Sequence, residues 1–265
     1  SSTPLTSSAA SDVYKRQEVL SDRSKQVRRD AIDLSLANGG YHYGGSFSCA
    51  DILVNLFDRV MDPTDRFILS KGHGCWVYYV LLRELGFDPL LEGHPHYDPS
   101  NGVYCTAGSM GHGLPTAIGQ ALARRLKGEP GNVYVLIGDG EAQEGTTWES
   151  LLIAGHLKLD NLVVIVDSNN IQGSGYVKDI MPVIDPLIGA ALNSGWVVHE
   201  IDGHDDSVWE QWKTEDGYYI GHNSPTLIVA HTVKGKGVSF MENQPKWHSN
   251  WLGGDMLAKA REELS

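Results

Sequence analysis

Two short strings carry the chemistry of this 265-residue chain: Gly138-Asp139-Gly140 and, thirty positions on from the aspartate, Asn169-Asn170. Asp139 offers a carboxylate and Asn169 an amide oxygen. Hard oxygen donors of this kind suit Mg²⁺, which completes its shell with phosphate oxygens and water. Gly138 and Gly140 keep side chains out of the way, so that backbone can approach a diphosphate. Alone, Gly-Asp-Gly is ordinary punctuation at the end of a strand. Each string here follows an apolar run, VYVLI (133–137) and LVVIV (162–166). That context favours a metal–diphosphate site, with the backbone carbonyl of Ile171 as a third ligand.

The runs are too short for helices and rich in β-branched residues, so they read as buried strands. WVVHEI (196–201) and PTLIVAHT (225–232) read the same way. Amphipathic periodicity predicts helices over 18–37, 49–60, 75–85, 113–126, 146–157, 186–194, 205–214 and 255–264. Strands alternating with helices imply an α/β fold, a doubly wound and mostly parallel sheet with helices on both faces. In such a sheet, ligands bind beyond the carboxyl ends of the strands. Residues 18–265 are expected to form one domain. Residues 1–17 read as a disordered or non-native arm, and the stretch 11–17 resembles a translated adapter remnant.

The formal charge of −12 argues against a duplex nucleic acid or an anionic membrane as partner. No apolar stretch reaches spanning length. Three cysteines, Cys49, Cys75 and Cys105, lack CxxC spacing and read as free thiols of a reducing, cytoplasmic compartment. Glycine is abundant, at 30 of 265 residues. Eleven histidines are ambiguous one by one. His156, His199, His204 and His222 read as structural or solvated, the seven tryptophans, including Trp209 and Trp212, as packing residues, and Asp202, Asp205 and Asp206 as a solvated connection with Asp205 as N-cap.

The string GDGEAQEGTTWESLLIAGHLKLDNLVVIVDSNNIQGSG (138–175) resembles the transketolase family. So do DRFILSKGHG (65–74), EGHPHY (92–97), AGSMGHGLPTAIGQALA (107–123) and PTLIVAHTVKGKGVSFMENQPKWH (225–248). The resemblance runs from about residue 20 to the end and keeps the family's motif order. It implies the diphosphate-binding (PP-type) domain of the thiamine diphosphate fold. It implies that Asp139, Asn169 and Ile171 hold Mg²⁺, with Ca²⁺ or Mn²⁺ as substitutes. Gly140 would lie against the diphosphate, and Lys71, His73, Lys234 and His248 would line it and the reacting centre. Gly108 and Met110 would orient the cofactor through their backbones, Met110 facing the aminopyrimidine. His42 and His94 would contact substrate hydroxyls, Glu144 would sit at a dimer contact within a shared carboxylate network, and Asp167 would support the site from behind. Lys234-Gly235-Lys236-Gly237 is expected to be a mobile loop closing over the diphosphate. A ring of imidazoles suits proton transfer to and from sugar hydroxyls.

Three positions depart from the family pattern. Tyr43 stands where a proline is usual, and is expected to put a bulky ring beside the substrate channel. His112 replaces a common glutamine, and Ser249 a glycine. These departures point to an altered donor or acceptor. The chain also lacks the family's pyrimidine-binding domain, so it is expected to be the N-terminal subunit of a split, two-gene transketolase. Its partner would be a C-terminal pyrimidine-binding subunit in a two-plus-two heterotetramer, moving a ketol unit between sugars. The alternatives are a subunit like that of a 1-deoxyxylulose-phosphate synthase, a 2-oxo acid dehydrogenase α-chain, or a non-catalytic Mg²⁺–diphosphate-binding relic.

Overall fold

The structure is a computed structural model, and it describes residues 20–210, 213–214, 217–218 and 223–265. The arm 1–17, Trp212 and His222 lie outside the described residues. Four helical segments come first. Helix α1 (Asp22–Ala37) starts where the Ser21 hydroxyl accepts the Ser24 N–H at 3.3 Å, a serine N-cap. Helices α2 (Tyr43–Ser48) and α3 (Ala50–Asn55) follow, and α3 runs on into a π-type turn, Leu56–Val60. After strand β1 (Arg66–Leu69) come α4 (Cys75–Glu84) and α5 (Gly113–Lys127), the latter closed by Gly128 in the left-handed region.

The apolar runs are strands β2 (Val133–Gly138) and β3 (Leu162–Ser168), with α6 (Gly145–Leu157) between them. A small hairpin, β4 (Ile171–Gln172) and β5 (Gly175–Tyr176), precedes α7 (Val177–Ile180) and α8 (Ile184–Asn193). Strand β6 (Val197–Asp202) and the single turn α9 (Ser207–Glu210) come next. The expected helix over 205–214 does not reach its expected end, because β7 (Lys213–Thr214) pairs antiparallel with β8 (Gly217–Tyr218). Strand β9 (Thr226–His231) and helix α10 (Gly254–Glu263) complete the chain.

Five strands form one sheet in the order β1-β2-β3-β9-β6, every pair parallel. Alternation along the strands divides the core in two. Tyr134, Leu136, Val163 and Ile165 face a cluster shared with α1 to α4, while Val133, Val135, Val164 and Val166 face α5, α6 and α8. Every residue of β2 and β3 is buried, as central parallel strands require. All five strands therefore end on one edge. Beyond that edge lie the segments after β1 (Ser70 to Gly74), β2 (Asp139 to Glu144), β3 (Asn169 to Ile171) and β9 (Thr232 to Lys234).

Candidate active site

These loops enclose a cleft of about 460 Å³. Its lining contains every site residue named from the sequence: His42, Lys71, His73, His94, Gly108, Met110, Asp139, Gly140, Glu144, Asn169, Ile171, Lys234 and His248. A side chain at Gly140 would bring its Cβ within 2.7 Å of the Gln172 Cβ, so the β2 loop and the β4 hairpin approach this closely only with glycine there.

The floor rests on Asp167, which is fully buried at the end of β3. It pairs with the Lys71 ammonium and accepts from Thr232 Oγ1. It also accepts from Ser48 Oγ at 2.6 Å and from Asn169 Nδ2 at 3.1 Å. Burial opposes both charges of the pair. Their mutual attraction nevertheless keeps the Asp167 carboxyl below its ordinary pKa and Lys71 above its own. Asn169 is thus gripped by its amide nitrogen, while its oxygen accepts the Ile171 N–H at 3.0 Å and keeps a second lone pair.

Asp139 is buried one strand over. Its carboxylate accepts the N–H groups of Gly140, at 2.7 Å, and Asn170. Burial, with the neighbouring Asp167 charge, pushes its pKa up to about 6. Asp139, Asn169 Oδ1 and the Ile171 carbonyl make a set of hard oxygens that fits a Mg²⁺ ion sharing its shell with phosphate and water. Asp139 is the one charged member of this set, and among the described residues no cluster of three or more His, Cys, Asp or Glu is placed to hold a metal. Lys234 Nζ donates to the Ile171 carbonyl at 2.9 Å, and burial followed by Lys71 lowers its pKa to about 8.

Above the floor stand four imidazoles. The His42 ring centroid lies 5.7 Å from His73, 6.1 Å from His94 and 5.5 Å from His248, and His73 lies 4.9 Å from His248. Burial is the first cause that lowers all four pKa values. His248 falls to about 3, with Lys234 as the second cause. At neutral pH the four rings are therefore uncharged. Their partners set two of the tautomers. His42 Nδ1 faces the His248 carbonyl and must donate, which leaves Nε2 as an acceptor. Lys234 Nζ donates to His248 Nδ1 at 3.1 Å, which leaves its Nε2–H as a donor. His42 itself holds φ at +68°, a strained value for a residue with a Cβ, at the very start of α2.

Several expectations change. Tyr43 does not stand beside the channel. One residue into α2, it is fully buried, packs edge-on against Phe47 and accepts the Ser35 hydroxyl at 2.8 Å. The expected mobile loop after Lys234 is a pinned turn: Gly235 N–H donates to Gly44 O at 3.1 Å and Asn243 N–H to Lys234 O at 2.9 Å. Glu144 stands at the rim, on the N-terminal side of α6. A second buried carboxylate of the cleft besides Asp139 is Glu141, which sequence reasoning missed. It accepts Ser70 Oγ, Gly111 N–H at 2.9 Å and Gly138 N–H at 3.1 Å, and so ties three loops together. Asp205 accepts the Ser207 N–H at 2.8 Å, a capping turn ahead of α9. His204 is structural: it bridges Asp51 and the Val233 N–H.

The sequence profile described as "Transketolase, thiamine diphosphate binding domain" matches residues 21–265. An apulose-4-phosphate transketolase subunit of Actinobacillus succinogenes is 38% identical over 92% of this chain and 95% of its own length. The 6-deoxy-6-sulfo-D-fructose transketolase subunit SqwG of a Clostridium species is 34% identical over 94% of this chain and 98% of its own length. Among solved structures, the transketolase of Leishmania mexicana superposes with a TM-score of 0.81 at 27% identity, covering 93% of this chain. That of Campylobacter jejuni gives 0.77 at 30% identity, covering 92%. The chain spans 42% of the length of each of these two solved chains. It belongs to the family of transketolase thiamine diphosphate-binding domains.

Proposed function

We propose that residues 18–265 form the diphosphate-binding subunit of a two-subunit transketolase, which moves a two-carbon ketol unit from a ketose to an aldose. One observation carries the proposal: the hard oxygens of Asp139, Asn169 and Ile171 share a cleft with four neutral imidazoles. Those three residues would hold Mg²⁺, or Ca²⁺ or Mn²⁺ in its place. Lys71, His73, Gly140, Lys234 and His248 would line the diphosphate. Gly108 and Met110 would orient the rest of the cofactor. When bound, thiamine diphosphate supplies the carbon nucleophile and the electron sink.

The chain itself binds, orients and moves protons. His42 presents a ring nitrogen that accepts, and His248 one that donates. A substrate rich in hydroxyls needs both, and a neutral imidazole changes between them at low cost. His73 and His94 extend the same surface. Glu144, at the rim, is assigned to the contact with the partner. The names of two relatives, each a transketolase subunit for an anionic sugar, support an anionic ketose as donor and a second chain as partner. We assign that partner the pyrimidine-binding role, in an assembly of two plus two. The three free cysteines support a cytoplasmic setting, and among the described residues no helix is long and apolar enough to cross a membrane.

The test is thermal. Thiamine diphosphate with Mg²⁺ at about a hundred times its dissociation constant contributes roughly 2.7 kcal/mol, a rise in Tm of about 5–10 °C. Asp139→Ala is expected to abolish that rise. Once the pyrimidine-binding partner is added, ketol transfer should appear. A wild-type chain that the cofactor leaves unshifted, with and without the partner, would mark a relic instead.

A further inference from the structure

Two large aromatic side chains stay open to solvent beside the cleft. Tyr41 is 37% exposed and Trp251 56% exposed. Their ring centroids lie 6.3 Å apart with the planes tilted by 38°. The Tyr41 ring also lies 4.2 Å from that of His42. An exposed pair of rings in contact with a cleft residue differs from scattered surface aromatics, which need no explanation.

The backbone holds both rings in place. A Cβ at Gly40 would fall 2.2 Å from the Trp76 ring, so only glycine lets the chain pass there. Gly40 N–H donates to Ser35 O at 2.8 Å, and the Trp76 indole N–H donates to the Tyr41 carbonyl at 2.8 Å. The left-handed turn at His42 then sends Tyr43 into the core and leaves Tyr41 outside. On the other side, Trp251 lies three residues past His248, whose carbonyl faces His42 Nδ1, and the buried Leu252 anchors the chain just beyond it. Tyr41 thus touches a histidine of the cleft, and Trp251 touches Tyr41.

Charge decides what the rings can take. The lysines that line the cleft, Lys71 and Lys234, are both buried. Tyr41 and Trp251 offer uncharged faces, with a hydroxyl and an indole N–H at their edges. Such faces suit the C–H side of a carbon chain and its hydroxyls rather than an anionic tail. We propose that Tyr41 and Trp251 form a shelf for the sugar carbons beyond the two-carbon unit, and so set the preference for acceptor length. The proposal rests on the ketol-transfer reading of the same cleft.

The experiment uses the assembled enzyme with its partner subunit, cofactor and Mg²⁺. It reads the ratio of kcat/KM for a five-carbon aldose phosphate to kcat/KM for glycolaldehyde, which has no carbons to reach the shelf. Y41A and W251A should each lower the ratio, and the double variant should lower it about tenfold. Y41F and W251F should restore most of it. A ratio unchanged in the double variant overturns the shelf, as does an unchanged ratio with weaker assembly of the two chains, which would mark the rings as partner contacts. No transfer by the unsubstituted enzyme with either acceptor would overturn the function reading and the shelf with it, whereas transfer with an unchanged ratio removes the shelf alone.

Discussion

At the scale of single residues, the site depends on burial outweighing ordinary titration. His248 is half-buried and faces Lys234, Lys71, His42 and His73, and its pKa falls to about 3. The unfolded chain would bind that proton near pH 6.5. Between pH 6.5 and about 3 the unfolded state therefore holds more of this proton than the native one, and the contribution of His248 to stability falls as pH falls. His42, His73 and His94 are shifted the same way, so the slope is shared. Urea midpoints at pH 7 and pH 5 check this. Wild type should lose stability between them, and His248→Gln should lose less. Equal losses would mean that His248 titrates normally. Glu141 and Tyr43 show the limit of reading at this scale. An acid beside Gly-Asp-Gly looks like a solvated helix start, and only the meeting of three loops buries it. Tyr41 and Tyr43 flank one histidine, and sequence alone cannot say which of the two the start of α2 turns outward.

At the scale of elements, the central parallel strands β2 and β3 are legible because each is a short, wholly apolar run that ends in polar or glycine residues. The strand ends are also where the chemistry sits, which is why Asp139 and Asn169 could be named together. The same edge explains a vulnerable point. Lys71 follows β1 and Asp167 ends β3, and both side chains are almost fully buried. Breaking such a pair strands a charge and costs about 3–5 kcal/mol, although replacing both partners by apolar groups is often tolerated. Lys71→Met should therefore lower the unfolding free energy by about that much, and adding Asp167→Leu should recover part of it. A double variant as unstable as the sum of two single losses would show that the two residues act separately. The helix expected over 205–214 failed for a different reason. A period of 3.6 residues persists in the sequence there, but a strand pairing takes over within it. Local pattern carries no information on a pairing partner.

Across the whole molecule, a buried chain of polar groups connects the helical layer to the cleft. Arg28 of α1 pairs with Asp51 of α3 at 2.8 Å. Asp51 accepts from His204 Nδ1 at 2.5 Å, and His204 Nε2 accepts the Val233 N–H at 2.8 Å, one residue before Lys234. Burial would raise the Asp51 pKa, but Arg28 and His204 hold it well below the usual carboxylate range. The packing of α1 and α3 on the sheet thus helps to fix the backbone that presents Lys234 to the Ile171 carbonyl. His204→Ala removes the bridge. It leaves the Val233 N–H without its partner, at a cost of about 1–3 kcal/mol. If the bridge only stabilises the fold, the urea midpoint will drop while affinity for thiamine diphosphate with Mg²⁺ stays the same. If it also positions Lys234, that affinity will fall by about tenfold as well, and Lys234→Met should make the His204 substitution silent for binding, since mutations that act through one group do not add. We expect the second outcome, because Lys234 contacts both a metal-set carbonyl and His248, and its backbone carbonyl accepts the Asn243 N–H on the far side of the turn.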